Sequence, residues 1–192
     1  MKKLALVLSL VLMLTFVGCS SKTTVKETDA FRFDSKTGYA YSTAPFGIDT
    51  TELESAIGSK LTMVSESPAT APFAYTNYSS EDIVQSADCS GKFDAQFDEN
   101  GKLFSVTFHE QLTRDTAEEH FEAASKRFTE TFGAPAVQDD NGIGTQYLEW
   151  QDKSSGTALG LTYSDLGTTD PTLMISVFEK SRYVEAGTGD WK

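Results

Sequence analysis

Cysteine, histidine and basic residues are all scarce in this chain. Two cysteines in 192 residues exclude a disulfide-stapled scaffold, and two histidines leave little for a zinc site. Sixteen basic residues stand against 28 acidic ones, a formal net charge of −12. A surface of that sign repels phosphate backbones and anionic headgroups, so nucleic acid is excluded as a partner and electrostatic membrane docking is not expected. What the chain has instead is aromatic weight, 13 Phe and 7 Tyr within a 39% apolar fraction, which suits an ordinary packed globular body.

The N-terminus carries the most information. Lys2 and Lys3 precede an uncharged run from Leu4 to Val17 that ends at the small residues Gly18 and Cys19. The run is too short for a spanning helix, which needs ~20 apolar residues, and it matches the ~7–15 of an export signal. Phe16-Val17-Gly18-Cys19 resembles the lipobox of bacterial lipoproteins, with Phe16 where leucine is usual. That resemblance implies a signal peptide over residues 1–18 and a mature chain that begins at Cys19, acylated on sulfur. It also implies a body held outside the cytoplasm, on the cell membrane or the outer membrane. A diacylglyceryl group supplies two chains, enough for stable anchoring where one is marginal. Loss of residues 1–18 removes two lysines and no acid, taking the charge from −12 to −14. Residues 19–29, polar and with Val25 as the one large aliphatic, read as a flexible tether spanning roughly 20 Å.

Residues 30–183 read as one domain, with residues 184–192 as a C-terminal tail. Ala30 to Phe33 and Tyr39 to Tyr41 flank Asp34-Ser35-Lys36-Thr37-Gly38 as a hairpin. Asp49-Thr50-Thr51-Glu52 has the spacing of a capping box, with Leu53, Ala56 and Ile57 on one helical face and Gly58 as stop. Strands are expected at Phe73 to Tyr78, Lys92 to Phe97 and Leu103 to His109. In the last two, Phe93, Ala95 and Phe97 alternate with polar residues, as do Phe104, Val106 and Phe108, and Asn100-Gly101 suits a tight turn. A second capping-box spacing, Asp115-Thr116-Ala117-Glu118, opens a helix whose stripe is Ala117, Phe121, Ala124, Phe128 and Phe132. Strands at Thr145 to Trp150, Thr157 to Tyr163 and Thr172 to Phe178 complete the pattern.

Helix, strand, strand, strand thus occurs twice, over about 45–110 and 113–180. Period-2 alternation gives the strands one apolar face, and each pass supplies a helix to cover it. The expected fold is α+β, an antiparallel sheet covered on one face by two helices in tandem helix-plus-three-strand repeats. Gly47-Ile48-Asp49-Thr50-Thr51-Glu52-Leu53-Glu54-Ser55-Ala56-Ile57-Gly58 resembles the Gly-Met-Thr-x-x-Glu-Val-x-x-x-Leu-Gly motif of outer-membrane-assembly lipoproteins and the beta-lactamase-inhibitor-protein-like fold. Phe132-Gly133-Ala134-Pro135 resembles the Leu-Gly-x-Pro ending of that motif, while Lys60 stands where the first copy would carry proline. The resemblance implies tandem repeats that bind other proteins.

Catalytic patterns fail one after another. His109-Glu110 begins a zinc-protease motif, yet the second ligand would fall at Thr113, and His120 lies in the helix. Neither a nucleophile elbow nor a phosphate-binding glycine loop is present. Asp139-Asp140-Asn141-Gly142 lacks the ligand spacing of a calcium loop and reads as a solvated turn. With Cys19 acylated, Cys89 is a lone thiol that reads as a small buried residue. Neither a catalytic group, nor a cofactor, nor a metal ligand is assigned. Tyr39, Tyr41, Tyr75, Tyr78 and Trp150 are the candidate binding residues, because amphipathic aromatics serve both cores and exported binding surfaces.

The expectation is a membrane-tethered, extracytoplasmic, non-enzymatic lipoprotein. Its partners are the bilayer, through acylated Cys19, and an unidentified envelope or extracellular protein; the alternative is a small ligand or glycan. Cys19→Ser should release the protein from the membrane without unfolding the body, since the lipid is attached outside the core. Fractionation of cells labelled with palmitate measures this, and membrane retention of the serine variant would refute the lipoprotein reading.

Overall fold

The computed structural model describes residues 23–167 and 169–192. The signal peptide expected over 1–18 and the lipidation expected at Cys19 therefore lie outside the described residues, among which no helix is long and apolar enough to cross a membrane.

The chain opens with a small antiparallel sheet, β1 (Val25–Glu27), β2 (Phe31–Asp34) and β3 (Gly38–Tyr41). The expected hairpin is β2–β3. Strand β1 corrects the tether reading, because Val25–Glu27 pairs with Arg32 to Asp34 and belongs to the folded body. Helix α1 (Thr50–Ile57) follows, capped as expected: Asp49 accepts from Glu52 N while Glu52 accepts from Asp49 N, and Gly58 closes the helix in the left-handed conformation. Next come β4 (Leu61–Glu66), β5 (Tyr75–Ser80), the short β6 (Val84–Gln85), β7 (Ser90–Asp98) and β8 (Leu103–Gln111). The second half contains α2 (Arg114–Phe132), β9 (Val137–Asp140), β10 (Thr145–Asp152), β11 (Thr157–Ser164) and β12 (Thr172–Phe178), before α3 (Lys180–Glu185).

The main sheet runs β4-β5-β7-β8-β12-β11-β10-β9, antiparallel throughout, with β6 on β7. The α+β class is thus as the sequence implies. Each half is a helix followed by four principal strands rather than three, and the halves meet at the β8–β12 pair. The additional strands, β4 and β9, are the two edges. Their residues are all exposed or half-buried, so neither carries the alternation that marks a strand with a buried face.

One face of the sheet is dry. Phe93, Ala95 and Phe97 of β7, Val106 and Phe108 of β8, Leu159 and Leu161 of β11 and Ile175 and Val177 of β12 join the buried cluster with the α2 stripe Ala117, Phe121, Ala124, Phe128 and Phe132. The stripe is buried at every expected position. The cap differs from expectation: α2 starts at Arg114 after Thr113, with no side-chain cap bond, and Asp115 lies within the first turn. The cover also has a third component, because the β1–β3 sheet packs beside the helices. Phe31 sits where the layers meet, its ring centroid 5.9 Å from Phe108 of the main sheet and 5.7 Å from Phe128 of α2. Buried Asp88 fixes this sheet to the body. One of its oxygens accepts from Ala30 N at 2.6 Å and Thr28 Oγ1 at 2.5 Å, and the other lies 3.0 Å from Arg127 Nε.

A β-bulge corrects the strand parity. Phe97 pairs with Leu103 while Gln96 pairs with Ser105, so Phe104 is the extra residue and turns to the opposite face. It is fully buried there against Phe73 and Tyr75, with Arg182 stacked 4.9 Å above its ring. The C-terminal boundary at residue 183 also moves. It would divide α3, and the last residues are docked: Lys180 Nζ lies 5.8 Å from the Trp191 ring, and Lys192 N donates to Gln151 Oε1.

Phe128→Ala should destabilise the protein by about 3–5 kcal/mol, the usual cost of truncating a buried aromatic, because Phe128 meets Phe31, Phe132 and Trp150 at 0% exposure. Denaturant unfolding followed by circular dichroism measures it. A midpoint equal to wild type would show that the stripe does not support the fold.

Candidate functional site

Alternation that makes one sheet face dry makes the other polar. The pairing register aligns Glu149 of β10, Gly160 of β11, Ser176 of β12, Thr107 of β8 and Asp94 of β7 in one transverse row on the uncovered face. These residues help to line a cavity of about 480 Å³, within the range typical of small-ligand sites. Lys180 and Tyr183 of α3, with Thr188 and Gly189 beyond it, close one end.

The walls of this cavity are held in place by their own bonds. Thr107 Oγ1 and Ser176 Oγ are 2.9 Å apart across the central strand pair. Tyr147 lies over Gly160, where an added Cβ would stand 3.3 Å from the ring; the glycine makes room for the aromatic wall. Tyr183 donates to Gln96 Oε1 at 3.1 Å, and Gln96 Nε2 donates to Asn77 Oδ1 at 3.0 Å. A run of edge-to-face aromatic contacts continues outward from Phe178 through Tyr183 and Phe73 to Tyr75, with Phe104 beneath.

The charges at the site are paired internally. Buried Glu149 accepts from Lys180 Nζ, Tyr147 Oη and Gln151 Nε2. Burial, then the Glu149 carboxylate, holds the Tyr147 phenol far above the ordinary tyrosine range, and burial also pushes Tyr183 up to about 12. Asp94 lies 3.0 Å from His109 Nε2. Burial disfavours its carboxylate, and hydrogen bonds from His109 and Ser79 more than offset this, so its pKa lies below the usual aspartate value. The cavity can present hydroxyls, amides and aromatic faces to a ligand, and the two basic side chains that line it, Lys180 and His109, both lie against carboxylates.

The aromatics singled out from the sequence are mostly elsewhere. Tyr39 and Tyr41 are buried, packed against Phe132 and against Phe93 and Phe108. Trp150 is 1% exposed, meets Phe128 edge-to-face, and donates to Gly133 O. Tyr78 packs on Phe97 at the dry side. Tyr39 and Tyr41 fill the space between the N-terminal sheet, α2 and the main sheet, Trp150 projects from the dry face into the core, and Tyr78 is half-buried against that core. Tyr75 alone reaches the open face, near Tyr183 but outside the cavity lining. The residues that do line it, Tyr147, Thr107, Ser176, Lys180 and Tyr183, come from separated segments and share no local motif.

The other sites considered from the sequence are structural. Cys89 is buried beside Ser86, and burial pushes its thiol up to about 12, the Ser86 hydrogen bond lowering it only in part. His120 lies at the surface 3.7 Å from Glu110. In the Asp139 to Gly142 turn, Asp140 accepts from Gly142 N and Asn141 accepts from Ile143 N and Thr145 N. Among the described residues no three His, Cys, Asp or Glu side chains converge as a metal site requires. No protein-family model, curated protein or solved structure matches the chain.

Glu149→Gln should cost about 3–5 kcal/mol, because it leaves the Lys180 ammonium buried without its counter-charge. Adding Lys180→Met to that variant should recover most of the loss. Equilibrium unfolding of the single and double variants measures both, and equal stability of wild type and Glu149→Gln would show that the pair is solvated.

Proposed function

We propose that the protein is a membrane-tethered extracytoplasmic lipoprotein that works as a non-enzymatic binding module, with its ligand held on the open face of the main sheet. The observation that carries this reading is the recess itself: an uncovered sheet face whose centre is a cavity of about 480 Å³, walled by side chains already ordered by mutual hydrogen bonds. Preorganisation of that kind lowers the entropic cost of binding. A recessed cavity of mixed polarity beside a contiguous aromatic group favours a small ligand, or a small protruding group, over the protein partner expected from the sequence. An envelope protein partner is the second reading, favoured by edge strand β4, where Met63 and Val64 are 53% and 59% exposed and the outer backbone groups lack a neighbouring strand.

A ligand that binds the native state raises stability by mass action, about 2.7 kcal/mol at a hundredfold excess over Kd. The dialysable fraction of a cell-envelope extract should therefore raise the thermal midpoint of the wild type and leave Ser176→Trp, whose side chain fills the cavity, unchanged. A shift produced only by the non-dialysable fraction, equal in both proteins, would move the assignment to the protein partner. No shift with either fraction would reject the binding module.

A further inference from the structure

We propose that the open-face cavity is a saccharide site, taking a neutral, polyhydroxylated ring; this rests on the small-ligand reading of that face. The chemistry of the lining selects among ligand classes. An anionic ligand such as a phosphate needs a cation, and of the basic side chains lining the cavity Lys180 is committed to Glu149 and His109 lies against Asp94, in a chain whose net charge is −12. A cationic ligand needs a free carboxylate. Glu149 is occupied by Lys180, Tyr147 and Gln151, and Asp94 is held by His109. An acyl chain would desolvate the Thr107 and Ser176 hydroxyls at the centre of the floor and leave every hydrogen bond but the one between them unmade.

What is left on offer is neutral and mixed in polarity. The Thr107 and Ser176 hydroxyls exchange one hydrogen bond with each other, and each keeps further donor or acceptor capacity, as does the Gln96 amide. Tyr147, Phe178 and Tyr183 line the same space and supply flat apolar faces. A pyranose ring needs this combination, because its hydroxyls lie around the rim and its C–H groups form an apolar face that packs on aromatic carbon. The cavity volume of about 480 Å³ suits a mono- or disaccharide and is too small for a folded segment of protein.

The test is saturation-transfer NMR on the full chain carried in phosphatidylcholine vesicles, with maltose, cellobiose and N,N′-diacetylchitobiose as probes, and with inorganic phosphate, detected by its own line broadening, and free lysine as charged comparisons. At least one neutral disaccharide should receive saturation from the protein's aromatic protons. Thr107→Val, which keeps shape and deletes a hydroxyl, should weaken that binding about fivefold, as expected for one hydrogen bond. Glu122→Gln, on the exposed side of α2, should leave it unchanged. Circular dichroism verifies folding, and Ser176→Ala provides the same deletion should Thr107→Val fail to fold. Binding of phosphate or lysine in place of every neutral sugar, sensitive to Thr107→Val, would overturn the saccharide assignment and leave the small-ligand reading standing. Sugar binding indifferent to both hydroxyl deletions would place it outside the cavity and also overturn the assignment. Silence from every probe, with the dialysable extract equally inert, would reject both.

Discussion

Seven residue pairs between β8 and β12 join the two halves of this molecule, and the alternation along that seam divides the protein into a dry side and a wet one. Phe108 opposite Ile175 and Val106 opposite Val177 point to the helices. Thr107 opposite Ser176, one residue along, points the other way and forms the floor of the cavity. A slip of one residue at the seam would exchange the faces completely. Core and candidate site are thus specified by the same register, and the burial of the phenylalanines is what positions the hydroxyls.

Because the seam is antiparallel, each half can be a meander with its helix placed before it, and both helices fall on the side where the aromatic residues project. The arrangement leaves a gap in the cover, which the N-terminal β1–β3 sheet fills. Phe31 is its wedge, meeting the main sheet, α2 and Tyr41 at once. At the far end, α3 and the last residues do on the wet side what the N-terminal sheet does on the dry side. They close an open flank, here with a buried Lys180 that reaches back to Glu149.

Local signals in the sequence identified what local physics decides. The Asp49 to Glu52 capping box, the Phe121 to Phe132 stripe and the β7–β8 hairpin all depend on contacts within a few residues, and all are present. Strands β4 and β9 were invisible because an edge strand with two wet faces has no reason to alternate. The bulge at Phe104 was hidden for a different reason: a phenylalanine in phase with Val106 and Phe108 looks like core until the opposing strand shows that Leu103 takes its place. The cavity was the least legible part, since Thr107 and Ser176 are 69 positions apart and Glu149 and Lys180 are 31 apart. Residue type alone does not separate the tyrosines: Tyr39 and Tyr41 are interior because β3 is wedged between the main sheet and α2, whereas Tyr147 and Tyr183 line the open-face cavity.

The attachment of Ala30 and Thr28 to buried Asp88, and of Asp88 to Arg127, has a mechanical consequence. Any tension entering the body through its N-terminal end is first borne by the short β1–β2 ladder. If that ladder peels, the load arrives next at a carboxylate bonded to a helix on one side and to backbone on the other, ahead of the Phe31 wedge. A pull that opens β1 therefore has to break the Thr28 and Ala30 bonds to Asp88 before it acts on the aromatic interior. The β8–β12 seam lies behind those bonds, so drag on the N-terminal end would reach the geometry of the opposite face last.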